Sequence, residues 1–444
     1  MSGTPVAVLG IDPFWLASAL LLATYALVVL ERLDRAVVAL LGGGLMILAG
    51  IVDQSSAIAA QDFNTLAMLI GMMLLVALIR PCGMFQYLAF AAARAARGHP
   101  AILLAFLTLV TAALSSVLNN ATTVLMIAPV TIVVTQALHL APYPFLFSEI
   151  MASNIGGTST LIGDPPNMLI GSTTGLGFDA FLMHLAPATA IALLVQLAIG
   201  HWLWGRHMRV EAEARSLVLS LHPGDAISDR PLFLKSVVVI ALAVVGFVFG
   251  DRLGLAPGST AMGAAALLLL LDNWWRPLEE QTRRVHAAFG EVEWSMIFFL
   301  VGLFVVVAGV VQAGVLSWLA AKIAGATAGN LTLTTLLVLW TSALLSSVIN
   351  NIPFVATMIP VIKGLAPGLG GEAALQPVWW ALAYGACIGG NGTLVGATAN
   401  LTVAGIAERN GIAFGFGAFL RLGFPMMLVS IAIGMVYFTL RYLL

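Results

Sequence analysis

SSVLNN spans Ser115–Asn120, and SSVINN spans Ser346–Asn351 in the second half of the chain. The displacement between them also relates Asp62 to Glu293, Gly71 to Gly302, Gly83 to Gly314 and Asn119 to Asn350. Downstream, IGGTSTLIGDPPN (155–167) aligns with IGGNGTLVGATAN (388–400) at a slightly larger displacement, a slip that one small insertion explains. The chain is therefore a duplication, and one supersecondary plan has to serve it twice.

Composition names the solvent for that plan. Hydrophobic residues make up 60% of the chain and charged residues 9%, with a mean hydropathy of +1.02. A soluble domain carries roughly 25% charged residues, so this chain cannot clothe a water-facing surface. A membrane helix needs about 20 mostly apolar residues. Spans are expected near 14–30, 36–51, 64–79, 144–174, 178–205, 232–250, 258–272, 294–312, 377–406 and 417–441. The 144–174 and 377–406 segments are long and rich in Gly, so both read as broken helices. The apolar pairs around SSVLNN and SSVINN read as re-entrant hairpins near 100–139 and 331–364.

The expected fold is an all-α polytopic membrane protein. Its first repeat covers 1–205, a polar cytoplasmic linker covers 206–231, and a second repeat covers 232–444. Each repeat has five transmembrane helices plus one re-entrant hairpin, and its broken helix lies at the midplane. An odd number of crossings turns the second repeat upside down, a pattern found in secondary transporters. With the N-terminus outside, most Lys and Arg fall in cytoplasmic loops, among them Arg32, Arg35, Arg80, Arg206, Arg283 and Arg284. The opening MSGTPVAVLGIDPFW lacks a basic leader region, so the whole chain is read as a multi-pass protein of a bacterial-type inner membrane. Residues 80–98 and 314–329 look like amphipathic surface helices.

Why a greasy chain carries Ser-Ser and Asn-Asn twice follows from the hairpins. Non-helical backbone survives at membrane depth only when buried in protein or lining a wet cavity. Hairpin tips and helix breaks both expose such backbone. Ser and Asn can satisfy it, and they can also hold a ligand. In isolation these residues more often just bind helices together, and Gly often just permits close packing. Two copies, each followed by a Gly-rich break, favour one central transport site built from both halves.

The pairing of SNIGGTSTLIGDPPN with an Asn-bearing hairpin tip resembles the ion transporter superfamily over nearly the whole chain. That group includes arsenite efflux permeases, sodium/proton antiporters, the pink-eyed-dilution permease and divalent anion/sodium symporters. The resemblance implies a scaffold domain, which also forms a homodimer interface, and a moving transport domain. It implies substrate contacts at Ser115, Ser116, Asn119, Asn120, Asn154, Thr158 and Asn167. In the second half it implies Ser346, Ser347, Asn350, Asn351, Asn391, Thr393 and Asn400. The tips read NNAT and NNIP, and the second break reads GATAN. Dicarboxylate symporters carry SNT tips and a Thr-Pro-Pro-Asn element there, so the match leans to the pink-eyed-dilution type and to relatives labelled arsenical permeases. Some arsenical permeases also use a soluble ATPase subunit.

Asp164 and Glu149 are the candidates for proton or ion coupling. Asp164 lies in the first break, opposite Ala397 of the second repeat. It either carries a coupling ion or caps the helix after Pro165 and Pro166. Asp62 and Glu293 read as helix caps, His184 as a packing residue and Arg421 as an interfacial side chain. Cys82 and Cys387 do not make a disulfide scaffold, and Cys387 reads as a small hydrophobe. With no G-x-x-x-x-G-K-[ST] motif, metal-ligand cluster or nucleophile–base constellation, neither an enzyme nor a cofactor is expected. A net charge of −1 gives no basic field for nucleic acid. The leading expectation is arsenite or antimonite efflux coupled to proton entry, with lipid, protons or Na⁺ and the inorganic substrate as partners. The alternatives are a sodium-coupled anion symporter or a sodium/proton antiporter on the same fold, and a membrane receptor or scaffold that transports nothing.

Overall fold

The computed structural model describes residues 11–30, 32–211, 213, 215 and 222–444. Residues 1–10, which would carry the outside N-terminus, are not among them, nor are 212, 214 and 216–221 of the expected linker.

The first repeat begins with α1 (Pro13–Leu30), α2 (Arg35–Leu48), the short α3 (Gln54–Ala59) and α4 (Phe63–Ile79). It continues with α5 (Met84–Ala95), α6 (Pro100–Val117), α7 (Asn120–Ala137), α8 (Tyr143–Thr158), α9 (Pro165–Thr174) and α10 (Phe178–Gly200). The second has α11 (Arg230–Phe249), α12 (Pro257–Asn273), α13 (Leu278–Gly290), α14 (Trp294–Gln312) and α15 (Val315–Thr327). It ends with α16 (Leu331–Ser346), α17 (Asn351–Leu369), α18 (Gln376–Gly389), α19 (Thr398–Arg409) and α20 (Phe416–Phe438). The starts of α4 to α7 stand at one constant displacement from those of α14 to α17. The starts of α8 and α9 stand at the slightly larger displacement of the break motifs from those of α18 and α19.

The packing repeats as well. Helix α2 lies against α14, and α12 lies against α4. A Cβ on Gly71 would come within 2.5 Å of the Ala261 carbonyl carbon, and one on Gly302 within 2.3 Å of that of Ala39. Both crossings therefore bring backbone to backbone, as small residues allow inside membranes. In the same way α6 packs on α8, and α16 on α18. Helix α7 crosses to α19, and α17 crosses to α9, so each hairpin's second helix touches the other repeat's half-helix.

Among the described residues nine helices are long and apolar enough to cross a bilayer, including α6, α7 and α17. Length alone therefore does not make the hairpins re-entrant. What sets them apart is that their tips end against the breaks of α8–α9 and α18–α19, the arrangement expected of re-entrant hairpins. Helix α2 is shorter than the expected 36–51 span. It has 14 residues, about 21 Å at 1.5 Å per residue, and Gly50 at φ +66° follows its end.

The amphipathic helices α5 and α15 lie within the expected 80–98 and 314–329 segments. A third, α13, falls where the sequence suggests only a charged loop. Asp62 caps α4 by accepting from Thr65 N at 3.1 Å, whereas Glu293 makes no such bond to α14. His184 stacks on Trp380 with ring centroids 4.8 Å apart, and it hydrogen-bonds the Tyr442 hydroxyl. Its helix α10 packs on α8 and α20, in keeping with a packing role for His184.

Candidate functional site

Each break is two half-helices joined by a short stretch of turns and bends, which in the second repeat opens with a 3-10 turn at Gly390–Gly392. Tyr143–Thr158 and Pro165–Thr174 flank the first, and Gln376–Gly389 and Thr398–Arg409 flank the second. Pro165 and Pro166 fit the first turn of α9, where a missing N–H costs nothing. The stretch is then folded back on itself. A Cβ on Gly163 would stand 2.6 Å from the Gly157 carbonyl oxygen, and one on Gly396 2.7 Å from that of Gly390. Only glycine fits at either position.

The hairpin tips fasten to these breaks by matching bonds. Ser115 Oγ donates to the Ser153 carbonyl at 2.6 Å, and Ser346 Oγ to the Ala386 carbonyl at 2.6 Å. Thr160 donates to the Ser116 carbonyl, and Thr393 to the Ser347 carbonyl. Asn167 Nδ2 ties its break by donating to the Thr158 and Thr160 carbonyls at 3.1 and 2.8 Å. Asn400 Nδ2 ties the other through Gly390 and Thr393 at 2.7 and 2.8 Å. Much of the repeated Ser, Thr and Asn therefore satisfies backbone that the breaks set free.

The remaining amides converge. Asn154 Nδ2 donates to Asn391 Oδ1 at 2.8 Å and to Asn400 Oδ1 at 3.0 Å, joining the two breaks directly. Its Oδ1 accepts from Asn120 Nδ2 at 3.1 Å. Asn351, at the other tip, reaches across the repeats, with Nδ2 3.4 Å from each Asp164 carboxylate oxygen. Asp164 stands at the N-cap position of α9 but makes no side-chain cap bond, which removes the pure capping alternative. Cys387 occupies the place in the second repeat that Asn154 holds in the first, and its Sγ lies 3.5 Å from Asn167 Oδ1. Asn120, Asn154, Asp164, Asn167, Asn351, Cys387, Asn391 and Asn400 are all buried.

Other expected site residues stand aside. The Ser116 and Ser347 hydroxyls bond back to their own helices, at Ala113 and Leu344. Asn119 and Asn350 cap α7 and α17 through Ala121 N and Ile352 N. The Thr158 hydroxyl bonds the Asn154 carbonyl. Glu149 is buried one turn before Ser153, where Thr131 donates to its Oε1 and its Oε2 has no partner among the described residues. Its one hydrogen bond there runs to Thr131 and away from the amide cluster. Thr160 and Cys387, absent from the expected contacts, belong to the core of the arrangement. The alignment that paired Thr160 with Thr393 carried the signal for the first.

The tips differ in cover. Val117 is half-buried, whereas its mate Val348 is 56% exposed beside a cleft of about 320 Å³. Asp34, Arg35, Phe299, Asn350 and Thr398 line this cleft. Arg35 donates to Thr398 Oγ1 at 3.3 Å and lies over the Phe299 ring at 5.9 Å. It bridges α2 to the first turn of α19.

Comparison with known proteins places this geometry. A family model described as citrate transporter, CitMHS, matches residues 25–385. The chain is 37% identical to an uncharacterized transporter of Mycobacterium tuberculosis over 430 residues, covering 96% of this chain and 98% of that protein. It is 34% identical to the human P protein, over 95% of this chain and 59% of that one. Among solved structures, the Alcanivorax borkumensis YdaH transporter, described as having an unusual topology, matches with a TM-score of 0.59. That match is 16% identical and covers 97% of this chain and 98% of the other, so it speaks for the fold.

Proposed function

The chain belongs to the citrate transporter (CitMHS) family of multi-pass membrane transporters, and we propose that it is a secondary active efflux permease for arsenite or antimonite, driven by proton entry. One observation carries the reading. A single carboxylate, Asp164, is bonded into a cluster otherwise made of neutral amides, a thiol and backbone, and Asn351 of the opposite repeat holds it. Amides both donate and accept, as a neutral polyhydroxyl solute such as arsenous acid requires. The carboxylate supplies the group that gains and loses the coupling proton.

On this reading the repeats run 1–205 and 232–444, with 206–231 in the cytoplasm and the N-terminus outside. The α6–α9 and α16–α19 block moves against the remainder in an elevator-like cycle. The cleft beside Val348 is then the cytoplasmic approach, since Arg35 and the α1–α2 turn lie on that side. A homodimer, and a soluble ATPase subunit, belong to the same proposal.

The family description favours a second reading, sodium-coupled anion symport, and so does Arg35 at the cleft. Electrostatics weigh against it in the central cluster. Two like charges 4 Å apart repel by about 4 kcal/mol at an effective dielectric of 20, so an anion beside Asp164 needs a bound cation. Sodium/proton antiport would use the same carboxylate. Everted vesicles decide. Arsenite uptake driven by an imposed pH gradient, and lost in Asp164→Asn, is the expected result. Uptake that ignores the pH gradient but follows sodium would replace it with the second reading.

A further inference from the structure

A second polar cavity lies away from the amide cluster, where α4 and α12 end and α11 begins. It has about 650 Å³, and Leu78 and Leu232 contribute to its apolar wall. Arg80, Arg283 and Arg284 come to it from two separate parts of the chain, together with Asp272 and Glu291.

The charges do not cancel. Arg284 is held by Asp272 at 2.9 Å and by Glu280 at 3.3 Å, and Arg276 bonds the same two carboxylates. Those four groups balance. Arg80 pairs with Glu291 at 2.7 Å, but both side chains are about half exposed, and such a pair holds little free energy. Arg283 has no ion pair or hydrogen bond among the described residues. One uncommitted guanidinium and one loosely held one therefore face the same cavity.

Two more observations bear on what they face. Gln86 also lines the cavity and adds a polar side chain to its wall. Trp274 and Trp275, 62% and 88% exposed, stand between α12 and α13, and aromatic side chains of this kind mark a membrane–water interface. Helix α13 carries its arginines beside the exposed Leu278 and Phe289, the pattern of a helix lying in that interface.

We propose that this cavity binds a phosphate group, with Arg283 and Arg80 as its ligands and the apolar wall beneath it. A phospholipid headgroup and free phosphate share the anionic chemistry, and only the lipid also offers acyl chain to the wall. Basic pockets between membrane helices on the cytoplasmic side hold such headgroups. The site stands on the helices outside the moving block and does not depend on what the amide cluster carries.

The test uses the purified full chain in phosphatidylcholine, titrated with phosphatidylglycerol or with inorganic phosphate. Retained lipid is read by native mass spectrometry and Tm by thermal unfolding. Phosphatidylglycerol is expected to be retained and to raise Tm. Arg283→Gln should weaken retention about fivefold and Arg283→Lys should restore it, as expected for one basic side chain at a lipid surface. Phosphate that displaces the lipid and raises Tm by itself would assign the same cavity to a soluble anion. Equal retention by wild type and Arg283→Gln, with matching Tm in phosphatidylcholine showing that both are folded, would overturn the proposal.

Discussion

In the first repeat Val117 at the hairpin tip is half-buried and the break carries Asp164; in the second, its mate Val348 is 56% exposed and the position matching Asp164 is Ala397. Around these differences the frame is the same. Ser115 and Ser346 make the same bond at the same length, and Gly163 and Gly396 allow the same backbone approach. Duplication conserved what holds the breaks in shape and let go of what fills them. Asn154 faces Cys387 across the pseudo-symmetry, and Thr158 faces Asn391. The chemistry is therefore one-sided within a two-sided frame.

The largest test of that contrast is Asp164→Asn. Losing the charge of a group in a buried polar network costs about 2–3 kcal/mol, so gradient-driven uptake in vesicles should fall on the order of 100-fold. Placing a carboxylate at the mate position, Ala397→Asp in the Asp164→Asn background, should not restore it. Restoration would mean that the two breaks are interchangeable.

The frame should respond symmetrically. Gly163→Ala and Gly396→Ala each push a methyl group into backbone, and each should lower stability by about 1–3 kcal/mol, read as thermal unfolding in detergent. A large effect in one repeat alone would break the equivalence.

Asn154→Ala removes bonds to three amides and should cut transport about tenfold, as for a lost hydrogen bond of about 1.4 kcal/mol. Cys387→Ala removes only a weak thiol donor and should change it by less than about threefold. The smallest effect concerns access. Val348→Cys should react with an impermeant maleimide several-fold faster than its mate Val117→Cys, against a low background because Cys82 and Cys387 are buried. Equal labelling would remove the difference in cover between the tips.

The duplication, the breaks and the hairpins were legible because each leaves a periodic trace: a near-constant displacement between matching motifs, glycines inside apolar runs, and polar tips between them. The division of labour within each Ser-Ser and Asn-Asn pair was not. Asn119 Oδ1 and Asn120 Oδ1 both accept from Ala121 N, but only Asn120 also donates inward to Asn154, a difference that sequence does not register. Cys387 resembled a core hydrophobe because its importance lies in a partner from the other repeat, Asn167. Helix α13 was hidden because its charged face dominates a segment whose apolar face is narrow.

The glycine-to-glycine closures at 157–163 and 390–396 set a limit on how anything crosses this protein. No side chain can move out of the way there, because none is present, and the backbone strands already touch. Widening a break would have to pull these backbone contacts apart, so on the elevator-like cycle proposed above each break travels as a finished block. On that proposal passage is a ferry with a fixed berth rather than a corridor with doors, and throughput is limited by the sailing of several helices at once. Such a crossing should slow sharply when the surrounding lipid stiffens, long before the ligand contacts weaken.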